Sequence, residues 1–183
     1  MRNLEPLEVN LDRDLFLRRL LRELAGSLQS TLGLKETSAF ISIVGEALAA
    51  DFDRQYRKAL KVDRLSASQV AEVLVDLKRR IQGDFFVIEE TPDRIVLGNR
   101  ACPFGELVRD RPSLCMMTSN VFGYIAAQNL GYARVELNNT IAMGHPGCKV
   151  VIYLRPTAES VMGVREYFRD DKLEPFARGS DEG

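Results

Sequence analysis

The sequence has no apolar run of the roughly 18 residues that a membrane-spanning helix needs, so no span is expected. It has no excess of basic charge either. Its 25 lysines and arginines stand against 26 aspartates and glutamates, a net charge of −1 with no global footprint for nucleic acid or an anionic membrane. The start, MRNLEPLEVNLDRD, lacks a basic segment followed by an apolar one and does not read as a signal peptide. A cytoplasmic protein is therefore expected. Cysteine is scarce, at three residues, and three cysteines in a cytosolic chain suit metal or redox chemistry better than disulfides. Histidine occurs once, at position 145. Internal repeats and low-complexity tracts are absent.

What is present is an ordinary globular composition, 45% hydrophobic and 28% charged, in a chain long enough to bury one core. Residues 1–12 read as a flexible arm. Residues 13–170 read as one α+β regulatory domain, with a helical part over 13–83 and a cysteine-containing part over 84–170. Residues 171–183 read as a flexible tail. From Asp12, the spacing of Leu17, Leu20, Leu21, Leu24 and Leu28 predicts a first amphipathic helix that stops at Gly33, with Arg18, Arg19 and Arg22 on its solvated face. A second helix is expected from near Ser38, carrying Phe40, Ile41, Val44, Leu48, Phe52, Tyr56 and Leu60. Ser66 to Gln69 is a capping-box pattern that opens a third, ending at Gly83.

At Asp84 the period changes. Residues 85–89 and 94–97 predict a hairpin around Thr91-Pro92-Asp93, with proline setting φ and aspartate capping its own backbone. Pro112 suits the first turn of a helix from about Ser113 to Asn129, stopped by Gly131. Strands are expected at 132–138 and 148–154, and a last amphipathic helix at 157–169. This order predicts an antiparallel sheet with helices packed on one face.

Cys102 follows the hairpin, Cys115 opens the predicted helix, and Cys148 opens a strand just after His145-Pro146-Gly147. All three sit at element ends, where ligands are usually held. The helix N-terminus predicts a depressed thiol pKa at Cys115. Converging thiolates suit a soft metal or an iron–sulfur cluster, and Cys102, Cys115, Cys148 and His145 would make a three-cysteine, one-histidine metal set. The spacing is neither that of a zinc ribbon nor that of a ferredoxin. Three unrelated structural cysteines are the bland alternative.

The stretch NRACPFGELVRDRPSLCMMTSNVFGYIAAQNLGYARVELNNTIAMGHPGCKVVIYL, with VAEVLVDLKRRIQGDFFVIEE upstream of it, resembles the methanogen output domain family. Those are regulatory modules that occur alone or attached to sensor modules in prokaryotic signalling proteins. The resemblance covers roughly residues 15–155. Asn99, Cys102-Pro103, Pro112, Leu114-Cys115 and Gly144 to Cys148 are also similar in layout to the C-terminal part of iron–sulfur-sensing repressors of the Suf operon. The 4-vinyl reductase domains, a small-ligand sensor fold, share a looser version. What the repressor resemblance implies is an iron–sulfur cluster on the three cysteines, 4Fe–4S rather than 2Fe–2S. This chain lacks the repressors' winged helix and a fourth cysteine, so direct nucleic-acid binding is not expected and His145, a carboxylate or an exogenous group is left as fourth ligand.

Thr118, Asn120 and Arg100 are the candidate ligand-pocket residues, and Met116 and Met117 read as core fillers. A nucleophilic Cys115 with His145 as base lacks any activating motif, and no enzyme activity is expected. The resulting expectation is a sensor module of redox, nitric oxide or iron status that signals or regulates transcription through a partner protein, as a homodimer by resemblance. The alternative is a zinc-stapled domain that binds a small ligand.

Overall fold

The computed structural model describes residues 9–156 and 165–170. Three helices come first: α1 (Arg13–Leu32), α2 (Leu34–Leu60) and α3 (Ala67–Arg80). Asp12 caps α1 by accepting the Leu15 N–H at 2.8 Å, and Ser66 and Gln69 close a reciprocal capping box on α3. The hairpin β1 (Phe85–Glu90) and β2 (Arg94–Asn99) follows, then α4 (Cys115–Leu130), β3 (Tyr132–Asn138), β4 (Cys148–Tyr153) and β5 (Arg165–Phe168). The strands form one antiparallel sheet in the order β1-β2-β4-β3-β5. α3 packs against β1, α4 against β3, β4 and β5, and α2 covers α4, with α1 beyond it. The expected α+β architecture is thus observed.

Three local readings are corrected. In the hairpin turn it is the Thr91 hydroxyl that accepts the backbone N–H groups, from Arg94 at 3.1 Å and Asp93 at 3.4 Å; Asp93 does not cap itself. Pro112 opens a short 3-10 turn ahead of α4 rather than α4 itself. Residues 165–168 of the expected last helix are a strand on β3; residues 157–164 of it lie outside the described residues, as do 1–8 of the arm and all of the tail at 171–183. The strand wins because alternate residues have partners. Tyr167 lies over Gly123, where an added Cβ would come within 2.2 Å of its ring, and its hydroxyl meets Ser119 Oγ at 3.0 Å.

The leucine period of α1 and α2 is real, but most of it does not face the core. Leu17, Leu20, Leu21 and Leu24 are exposed, and so are Phe40, Val44 and Leu48. The buried face of α2 is instead Thr37, Ile41, Ser42, Gly45, Ala49 and Asp53. Small residues win there because α2 lies very close to α4: a Cβ on Gly45 would come within 2.9 Å of Asn120 Cβ. Close packing leaves no room for a leucine at such a contact.

One buried polar network ties α2, α4 and the loop before α3 together. Asn129 Nδ2 donates to Asp53 Oδ1 at 2.6 Å and to Ile125 O at 2.8 Å, and Asn129 Oδ1 accepts the Leu65 N–H at 2.8 Å. Arg57 Nε completes the pair with Asp53 at 2.8 Å, where Asp53 is 2% exposed. Asn129→Ala would leave Asp53 Oδ1 and the Leu65 N–H buried without these partners, while Arg57 still pairs with Asp53. It is expected to lower the unfolding free energy by about 2–4 kcal/mol. Urea denaturation measures it, and a loss below about 0.5 kcal/mol, the range of ordinary surface changes, would contradict the role given to this network.

Candidate functional site

The chain between β2 and α4 crosses the open end of the sheet and is strapped to α1. Arg22 donates to Leu107 O and Arg109 O at 2.6 Å each, Arg111 Nε to Arg22 O at 3.4 Å, and the Ser113 hydroxyl to Gln29. Arg22 is therefore a half-buried clamp rather than part of a solvated face; Arg19 is exposed as expected. Beneath this strap lies a cavity of about 410 Å³, enclosed by α1, α3, the start of α4 and the adjoining ends of β1, β2, β3 and β4. Leu17, Leu21, Ile81, Phe85, Phe104, Val108, Leu114 and Val150 give it an apolar wall.

Cys102, Cys115 and Cys148 all line this one cavity, and all three are free thiols. Two N–H groups point at the Cys148 sulfur, Ile141 N at 3.4 Å and Asn99 Nδ2 at 3.7 Å. Burial pushes the Cys115 thiol up to about 12, with the negative charges on Cys102 and Cys148 adding to the rise. Burial likewise raises Cys102, against the opposing effects of a backbone hydrogen bond at Phe104 and the positive charge of Lys78. The expected depression at Cys115 is overturned. It opens α4, yet loss of water outweighs the helix N-terminus.

His145 is exposed in the loop before β4, where its N–H bonds Thr140 O at 3.2 Å, and it does not line the cavity. Among the described residues, no group of three or more His, Cys, Asp or Glu side chains is arranged to hold a metal ion. Of the candidate pocket residues, Thr118 lines the cavity. Asn120 is buried on the side facing α2 and donates to Met116 O at 2.7 Å. Arg100 lies outside, with its guanidinium 4.0 Å from the Phe86 ring centre and 3.3 Å from Asp84. Met117 lines the cavity wall.

The residue that sequence reasoning missed is Lys78. It is 4% exposed, and its ammonium reaches into the cavity to donate to Thr118 Oγ1 at 2.8 Å. The rings of Phe85 and Phe122 flank it, with centres at 5.5 and 5.2 Å. Burial pulls it down to about 8, while the three cysteines favour its charged form. The signal was in the helical period: Lys78 follows Leu74 by four residues and Leu77 by one, on the buried face of α3. Arg18 Nε, on the same cavity, is buried without a hydrogen-bond partner, while the Thr140 side chain hydrogen-bonds the Cys115 thiol. Arg18 also pairs with Asp14 at 2.5 Å, so it is cavity lining rather than solvated surface.

The model of the methanogen output domain 1 family matches residues 20–153, a span that contains the strap and all three cysteines. The chain belongs to this family. No curated protein matches it. The fold of this output domain is similar to that of trafficking protein particle complex subunit 3 from Naegleria fowleri, whose crystal structure carries covalently bound palmitic acid. The TM-score is 0.52 at 12% identity, over 85% of this chain and 99% of that one, a likeness of fold alone. No helix among the described residues of the output domain is long and apolar enough to cross a membrane.

A direct consequence concerns the thiols. At pH 8 in the metal-free native protein, Cys115 stays neutral, because its ionisation waits until pH nears 12. Iodoacetamide is expected to modify Cys115 far more slowly in the native than in the urea-unfolded protein, with the modified residue read by peptide mass spectrometry. Equal rates in the two states would contradict the burial described.

Proposed function

We propose that this output domain is a regulatory module that holds an iron–sulfur cluster through Cys102, Cys115 and Cys148 and passes the state of that site to a partner protein. The observation that carries the reading is that three thiols, from the loop after β2, the start of α4 and the start of β4, line one cavity. The donor set fits. A cluster offers several irons to thiols set around it, which suits cysteines on the walls of a cavity. Two N–H groups toward Cys148 and the ammonium of Lys78 suit a group of negative charge. When bound, such a cluster supplies a centre sensitive to oxidants, nitric oxide and iron supply. His145, exposed outside the cavity, is not needed in this ligand set.

The route outward runs through α1. Leu17, Arg18 and Leu21 line the cavity, while Phe16, Leu20 and Leu24 of the same helix are exposed beside Phe40, Ile43 and Val44 of α2. A change of packing at the thiols reaches this apolar face through a single helix and its strap. We take a second copy of the chain as its occupant, a cytoplasmic signalling or transcription-regulating protein as the further partner, and no direct contact with nucleic acid. The expected mass in solution is twice the 20.6 kDa of the chain. Leu24→Glu with Ile43→Glu should halve it. Light scattering that finds a monomer for the unmodified protein would remove the dimer.

A second reading rests on the apolar lining. An organic ligand would fill the same cavity, as palmitic acid is bound by the trafficking subunit of similar fold. Zinc, if present, would then be purely structural. Anaerobic purification with iron, sulfide and zinc analysis on one sample separates the readings. Brown protein with iron and sulfide in similar amounts is expected, and Cys102→Ser, Cys115→Ser and Cys148→Ser should each lower both. Colourless protein that carries an organic ligand or zinc would overturn the cluster.

A further inference from the structure

Lys78 poses a question that packing does not answer. A buried ammonium is costly unless it meets negative charge, and a methylene chain alone would fill the same space more cheaply. The groups around it are the Thr118 hydroxyl, two aromatic rings and three thiols. Among the described residues no carboxylate forms an ion pair with it. Arg18 and Arg80, which also line the cavity, are paired with Asp14 and Asp76. Lys78 is thus the cavity-lining cation that has no carboxylate partner among the described residues.

We infer that Lys78 is the counter-ion of the group the cysteines hold, a positioning residue whose ammonium offsets that group's negative charge. The inference rests on the cluster reading above and adds what selects and tunes the occupant. Three thiolates on a doubly positive 4Fe–4S core leave one net negative charge, which one ammonium offsets. Thr118 fixes the end of the lysine chain, and the rings of Phe85 and Phe122 keep water from it. Positive charge beside a cluster favours its reduced form. Lys78 therefore holds the reduction potential up as well as holding the group in place. The price is borne by the empty protein, which keeps a buried cation without its anion.

The test compares wild type with Lys78→Met and Lys78→Gln after anaerobic reconstitution with iron and sulfide. Glutamine keeps a hydrogen bond to Thr118 and serves if methionine disturbs folding. Three quantities are read: loss of iron and sulfide to a chelator, the reduction potential, and the melting temperature of the metal-free protein. Both variants are expected to retain the cluster about tenfold less well, as outer-shell changes do. They should have a lower potential and a metal-free melting temperature no lower than that of wild type. A purely structural lysine would instead lower the melting temperature and leave the potential unmoved. Retention and potential equal to wild type in a folded variant would overturn the role of Lys78 and leave the cluster standing. Failure of wild type itself to take up iron and sulfide would overturn both.

Discussion

α4 carries no charged side chain along its whole length, and a helix of that kind is stable in water only when every side is covered. The rest of the structure follows from that requirement. The sheet covers one side through β3, β4 and β5, α3 flanks it, and α2 closes the outer side through Gly45, Ala49 and Asp53. Because α2 approaches so closely, its bulky residues turn outward, and Phe40, Ile43 and Val44 join the leucines of α1 at the surface. The buried core and the exposed apolar face are two consequences of one packing decision.

The same requirement opens the cavity. At its N-terminal end α4 runs into the 3-10 turn at Pro112, and the strap takes over from helix packing. Cys115 sits at that junction, β2 ends near Cys102, and β4 starts at Cys148. Lys78 enters from α3. What results is a largely apolar cavity lined by three thiols and the Lys78 ammonium, with Arg18 paired to Asp14 in the same lining. That lining is the ground for proposing a thiol-bound, anionic occupant, and α1 forms part of its wall.

Much of the fold was legible because local chemistry dictated it. The capping box at Ser66, the stops at Gly33 and Gly131, and the strand at 132–138 all stand in the structure. That the three cysteines line one cavity was legible from their positions near element ends. Other features depended on tertiary contact. The leucine period said that α1 and α2 were helices, but which side faced inward was decided by the approach of α2 to α4. Residues 165–168 gained their strand from Tyr167 over Gly123, a contact between distant parts of the chain. Reading Cys115 by its place in the helix missed its burial. Lys78 was written in the period of α3, four residues after Leu74 on its buried face.

The central claim is that Cys102, Cys115 and Cys148 bind iron together in the cavity beside Lys78. The most direct measurement is an anomalous difference map at the iron edge from crystals grown without oxygen. The account predicts iron density inside the cavity, within bonding distance of all three sulfurs. A cavity holding an ordered organic molecule, with the three thiols unligated, would contradict it.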